Sequence, residues 1–206
     1  MKNILCFGDS NTFGFVPLDG SRYDADKRWS GILKKRLAGE YNVIEAGCNN
    51  RTCIADNPEG PLFTGYKAIA PYLENHPDLK LVVLGLGIND LQFSYKLSAE
   101  EVGKGLQRLI KDIKQKTNAK ILVLIPNIIG SSILASFFSQ MFDETSIEKS
   151  KQLPELFKNI AEKTKSDFLD LNTFAAPSEK DGLHYDEEMH KKIAEAAEKK
   201  IKEILL

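Results

Sequence analysis

Residues 4–11 read Ile-Leu-Cys-Phe-Gly-Asp-Ser-Asn, four apolar residues that run into a glycine and then into three polar ones. An apolar run this short, closed by glycine, fits a buried strand better than a helix. Its exit is unusual, because Gly-Asp-Ser-Asn suits neither a core nor a plain turn. Four more short apolar runs follow at 43–46, 81–84, 121–125 and 168–171. The segments between them carry helical periodicity. It is clearest where Val102, Leu106, Leu109, Ile110 and Ile113 share one face behind the capping box Ser98-Ala99-Glu100-Glu101. After Asp186 as N-cap, Met189, Ile193, Ala197, Ile201 and Ile204 repeat the pattern. Strand and helix alternating five times predict an α/β fold, a five-stranded, mostly parallel sheet covered by helices on both faces in a three-layer sandwich.

The bulk properties narrow the function. At 206 residues the chain is long enough for one domain with a substantial core, and no composition shift or Pro/Gly/Ser tract marks a second. Its 28 basic and 29 acidic side chains nearly cancel, so no single-sign field draws it to nucleic acid or an anionic membrane. A small molecule is the expected partner. No apolar run approaches the roughly 20 residues of a membrane helix, and the start MKNILCFG lacks a signal core. The expected location is therefore the cytoplasm. Cys6, Cys48 and Cys53 are odd in number and lack CxxC spacing, which argues against a disulfide framework or a zinc site and makes Cys6 a small core residue.

Open parallel sheets place ligands just beyond the carboxyl ends of their strands. Four exits carry polar clusters: Gly8-Asp9-Ser10-Asn11; Gly47-Cys48-Asn49-Asn50-Arg51-Thr52; Gly85-Leu86-Gly87-Ile88-Asn89-Asp90; and Asp181-Gly182-Leu183-His184. A serine hydroxyl attacks an acyl carbon only when a neighbouring base takes its proton. His184 is the expected base, and Asp181, three residues earlier, can bind Nδ1–H and leave Nε2 facing Ser10. Fixed donors for an oxyanion are at hand in the backbone N–H of Ser10, a backbone N–H of the Asn49-Asn50-Arg51 turn, and the amide of Asn89.

Rival motifs fit less well. Gly8 and Gly14 enclose five residues with no Lys-Ser/Thr after them, unlike a phosphate loop. In the Gly85-x-Gly87 stretch, Asp90 stands where a dinucleotide fingerprint needs its third glycine, and Thr12 breaks the Gly-x-Ser-x-Gly elbow. A metal site from Asp181, His184 and Asp186 matches no standard ligand spacing. His76 is expected to end a helix at the surface, and His190 to lie solvated on the charged last helix.

Taken in order, Gly8-Asp9-Ser10, the turn ending at Asn50, Gly87-Ile88-Asn89-Asp90 and Asp181-Gly182-Leu183-His184 resemble the four motif blocks of the SGNH hydrolases, also called the GDSL esterase/lipase family. Arg28-Trp29-Ser30-Gly31, 47–52 and 126–143 look most like its small bacterial arylesterase/acyltransferase branch. The resemblance implies a flavodoxin-like sandwich, a triad of Ser10, Asp181 and His184, oxyanion donors from Ser10, Asn50 and Asn89, an acyl-serine intermediate, and no metal or other cofactor. Asn50 departs from the family, standing where its glycine is expected.

Around this set stand candidates for the substrate pocket: Asp9, Asn11, Trp29, Arg51, Phe138 and Phe142. Asp9 is expected to bond nearby backbone, Trp29 to pack beneath the first loop, Arg51 to contact a carboxylate or polar substrate or to form a structural ion pair, and Asn89 or Asp90 to cap a helix. The apolar stretch 128–142 reads equally as a core helix, a lid or acyl-pocket wall, or an oligomer contact. The expected activity is hydrolysis of a small, short-acyl ester such as an acetate. A thioesterase, lysophospholipase or acyltransferase is the alternative within the class, and a silent ligand-binding protein the alternative outside it.

Overall fold

A computed structural model describes residues 2–206. The five apolar runs form β1 Lys2–Gly8, β2 Tyr41–Gly47, β3 Leu79–Gly85, β4 Lys120–Ile125 and β5 Asp167–Asp170. All pair in parallel, in the order β2-β1-β3-β4-β5. The fifth ends one residue earlier than its apolar run. There the Asp170 carboxylate accepts the Asn172 N–H at 3.0 Å and turns the chain into a 3-10 helix at Leu171–Thr173.

The helices are α1 Ser10–Phe13, α2 Trp29–Arg36, α3 Gly65–Ala68, α4 Ala70–Asn75, α5 Ala99–Lys116, α6 Glu144–Ser150, α7 Leu153–Lys163 and α8 Glu187–Leu205. Strand side chains alternate between two cores. Leu5, Phe7, Val82, Leu84, Ile121 and Val123 meet α5 and α7 on one face. Ile4, Cys6, Leu81, Val83, Leu122 and Leu124 meet α2 and α8 on the other. Burial on both faces is why the strands read as unbroken apolar runs rather than alternating ones. The α5 capping box forms as read, Ser98 accepting the Glu101 N–H at 3.2 Å and Glu101 accepting the Ser98 N–H at 2.8 Å.

The chain leaves β1 for β2 on one side and returns past it to β3 on the other. A crevice therefore opens where the winding reverses, beyond β1 and β3. Gly8 is in register with both Gly47 and Gly85, so three strands end level. The short α1 lies across these ends. A Cβ added to Gly47 would sit 2.1 Å from the Phe13 backbone nitrogen, so only glycine lets α1 approach this closely.

His190 corrects the reading of the last helix. Instead of being solvated it is fully buried, one turn ahead of the stripe Ile193, Ala194, Ala197 and Ile201. Its Nδ1 accepts the Trp29 N–H at 3.3 Å, and its ring packs edge-on against Tyr23 and Tyr185. His76 ends α4. All three cysteines are free thiols. Among the described residues, no helix is long and apolar enough to cross a membrane, and no group of three or more His, Cys, Asp or Glu is placed to hold a metal ion.

Candidate active site

Asp9 begins the site. Its carboxylate accepts the Asn11 N–H at 3.0 Å and caps α1, which fixes Ser10 as the first helical residue above the end of β1. The turn 181–184 arrives from beyond β5 and is held on three sides. Gly130 N–H donates to Gly182 at 2.8 Å, Ser178 N–H to His184 at 2.7 Å, and the Asn11 amide to Leu183 at 3.1 Å. In consequence His184 Nε2 lies 2.9 Å from Ser10 Oγ, and Nδ1 lies 2.8 Å from Asp181 Oδ2. The other Asp181 oxygen accepts the N–H groups of Leu183 and His184 at 3.0 and 2.9 Å. Burial alone would raise the Asp181 carboxyl, but the His184 ring and these two N–H groups outweigh it and hold it below the usual carboxylate range.

Asn50 and Asn89 line the same cavity as Ser10 and His184. Asn50 has φ +58°, a left-handed conformation that asparagine tolerates better than most residues, so it can occupy the glycine's place. Its side chain bonds Glu59 and accepts the Gln92 amide at 2.7 Å. Asn89 Nδ2 donates one hydrogen to Arg51 O at 3.1 Å, and the Gln92 amide stands 3.5 Å from its Oδ1. Gln92 thus ties Asn50 and Asn89 together. Among the described residues, the backbone N–H groups of Ser10 and Asn50 make no hydrogen bond.

Ser10, Asn49, Asn50, Asn89 and His184 line one cavity of about 90 Å³, walled by Phe15, Phe138, Met141, Phe142 and Leu183. Phe138 and Phe142, read as pocket candidates, stand in this wall. The segment 128–142 divides by side chain. Ile129, Ile133 and Phe142 are core, while Leu134 and Phe137 are exposed.

The remaining candidates are placed elsewhere. Asp9, Asn11 and Trp29 face a separate cavity of about 30 Å³ behind α1, shared with Asn127 and Tyr185. Burial pushes the Asp9 carboxyl up to about 7, opposed by the Asn11 N–H and Arg51. Trp29 does pack beneath the first loop, its indole N–H donating to Asn11 O at 3.0 Å. Among the described residues, Arg51 pairs with no carboxylate. It is buried and donates to the carbonyls of Gly8, Ala46 and Leu62 at 2.6 to 3.1 Å, joining the β1 and β2 ends. Asp90 caps no helix; its carboxylate gathers the N–H groups of Cys53, Ile54 and Ala55 at 2.5 to 2.9 Å.

The sequence reading missed Gln92 and Phe15. Gln92 carried a signal, since Asn89–Leu91 opens a 3-10 turn in which residues three apart eclipse. For Phe15 there was none beyond its nearness to Ser10.

Comparison with curated proteins gives no match. Among solved structures, a carbohydrate acetylesterase from Sinorhizobium meliloti is 28% identical at TM-score 0.92, with 99% of this chain and 100% of that one covered. The native aryl esterase of M. Smegmatis is 28% identical at TM-score 0.91, with both chains covered in full. A lipase/acylhydrolase from Enterococcus faecalis, 19% identical over 98% of this chain and 96% of that one, shares the fold at TM-score 0.69. The profile of one family spans residues 6–192, taking in all four strand exits. The chain belongs to the GDSL-like lipase/acylhydrolase family.

Proposed function

We propose that the protein is a serine carboxylic-ester hydrolase that acts on small, short-acyl esters such as acetates. One observation carries this reading: the unbroken hydrogen-bond chain from Asp181 through His184 to Ser10, at 2.8 and 2.9 Å. Ser10 Oγ attacks the ester carbonyl carbon as His184 Nε2 takes its proton, and Asp181 stabilises the imidazolium through Nδ1–H. The oxyanion is received by the N–H groups of Ser10 and Asn50 and by the second Nδ2 hydrogen of Asn89, the first being held by Arg51 O. The alcohol then leaves with the proton from Nε2. Water, losing a proton to the same nitrogen, attacks the acyl-serine and releases the acid. The cavity of about 90 Å³ at Ser10 and the likeness to an acetylesterase and an aryl esterase support a short acyl group.

The test is a fluorophosphonate probe together with Ser10→Ala. The probe labels the wild type at Ser10, and the variant loses nearly all hydrolysis of p-nitrophenyl acetate while its circular dichroism is unchanged. Ser10→Ala activity close to wild type overturns the assignment.

A further inference from the structure

Phe15 stands just past the end of α1, and its ring stacks on the His184 imidazole with centroids 4.2 Å apart and planes 28° apart. Phe138 approaches the same imidazole at 5.1 Å and meets Phe15 edge-on at 6.0 Å. His184 itself is only 1% exposed. When the imidazole takes the Ser10 proton it becomes a cation where little water can solvate it. Asp181 answers that charge at one edge of the ring, at 2.8 Å. The ring face lies against a phenyl π-cloud. A phenyl face is the negative pole of its quadrupole and attracts a cation within about 6 Å of the centroid. An aliphatic side chain of similar volume would exclude the same water and return nothing to the charge.

Resting on the esterase reading above, we propose that Phe15 is a positioning residue that stabilises the His184 imidazolium through its π-face, acting through His184 and not on the substrate. Phe138 supports it from the 3-10 turn Phe137–Gln140. The stacking favours the charged form of the ring, which the transition states of both acyl transfers contain and which the ring must lack to act as the base. It therefore raises kcat, by roughly 3- to 30-fold on the usual scale of cation–π contacts.

The experiment replaces Phe15 by 4-fluoro-, 3,5-difluoro- and 3,4,5-trifluorophenylalanine, which drain the π-face stepwise while keeping the ring's shape, with Phe15→Leu as the aliphatic reference. The titratable neighbours of His184 stay in place throughout, Asp181 on its own turn and His190 on α8, as does its hydrogen-bond partner Ser10 at the β1 exit. Two quantities are read, the pH profile of kcat/KM on p-nitrophenyl acetate and the midpoint of the His184 ring titration by NMR without substrate. The expected result is a stepwise fall in the kcat/KM plateau, totalling roughly 3- to 30-fold at the trifluoro ring, with both the acid limb and the NMR midpoint moving to lower pH in the same order. A flat rate series overturns the proposal, even where Phe15→Leu is slow, because the ring then acts by packing alone. An unmoved NMR midpoint overturns it as well. The NMR titration involves no turnover, so its failure is distinct from failure of the esterase reading, which Ser10→Ala decides.

Discussion

Asn89 is buried, and both ends of its amide are occupied from behind, Nδ2 by Arg51 O at 3.1 Å and Oδ1 by Gln92 at 3.5 Å. What remains is one N–H fixed toward the cavity that Ser10 also lines. On the proposed esterase mechanism, a donor held in this way meets negative charge only as the carbonyl becomes tetrahedral. Asn89→Ala is therefore expected to lower kcat by roughly 10²–10³ with a much smaller change in KM, measured by steady-state hydrolysis of p-nitrophenyl acetate. A rise in KM alone would make Asn89 a binding residue. Ser10, Asn50 and Asn89 were legible because each follows a glycine at a strand exit, where the topology itself brings remote residues together, and Asp181 and His184 because they flank Gly182 in a turn beyond the last strand. Arg51 was not. Its role as a clamp on three carbonyls depends on where a long side chain folds back, and a charge in a sequence carries no sign of whether a carboxylate or a backbone oxygen awaits it. Phe15 failed for the same reason, since the end of α1 decides which way its ring turns.

Among the elements, α8 and α2 are joined by a group that titrates. His190 Nδ1 accepts the first N–H of α2, an N–H with no partner inside that helix. Burial pushes His190 down to about 4, with Asp186 opposing the shift and His184 adding to it. The folded protein therefore holds this ring neutral while the unfolded chain protonates it near the ordinary 6.5. Stability from this residue is complete above about pH 6.5 and is lost as the pH falls toward 4, on the order of 3 kcal/mol in all. Asp9 runs the other way. Its carboxyl, raised from 3.8 to about 7, favours the folded state at low pH and costs stability as the pH rises through that window. A wild-type curve thus contains two opposed slopes, and the useful quantity is a difference. His190→Gln keeps an acceptor for Trp29 and cannot titrate, so the urea midpoint at pH 7 minus that at pH 4.5 should be more negative, or less positive, in the variant than in the wild type. Equal differences would mean that His190 opens to solvent before it protonates. The strands, α5 and α8 were legible from apolar period and caps. The buried His190 had a trace, lying three residues before Ile193 and four before Ala194, but Lys191, Lys192 and Glu195 around it made the helix read as a solvated face. The short helices α3 and α4 were missed as separate pieces. They hold too few residues to show a period, and tertiary contacts with the β3 side of the sheet define them.

Over the whole molecule, the site is drawn from both ends of the chain. Ser10 comes from the β1 exit, Asn50 from the β2 exit, Asn89 from the β3 exit, and Asp181 and His184 from beyond β5, 174 residues from Ser10 in sequence for the His184 pair. Nothing local would keep His184 at Ser10 if the sheet came apart. Conversely, the turn 181–184 is not a loosely attached flap. It is bonded to Gly130 in the segment after β4, to Ser178 in its own loop, and to Asn11 on α1, and Asp181 and His184 are both buried. Added bulk is excluded there too, because a Cβ on Gly182 would lie 2.5 Å from Gly130 O. Opening this turn requires breaking contacts with α1, the segment after β4 and the chain that follows β5 together. Local opening is cheap where a segment has few such ties and approaches the global cost where it has many. Urea titrations should accordingly show fluorophosphonate labelling of Ser10 and far-UV ellipticity falling together, with one midpoint and one slope. A labelling midpoint clearly below the ellipticity midpoint would show that the 181–184 turn leaves while the sheet stands. In that case the triad geometry would rest on the loops alone, and the parallel sheet would serve only to bring their anchor points near one another.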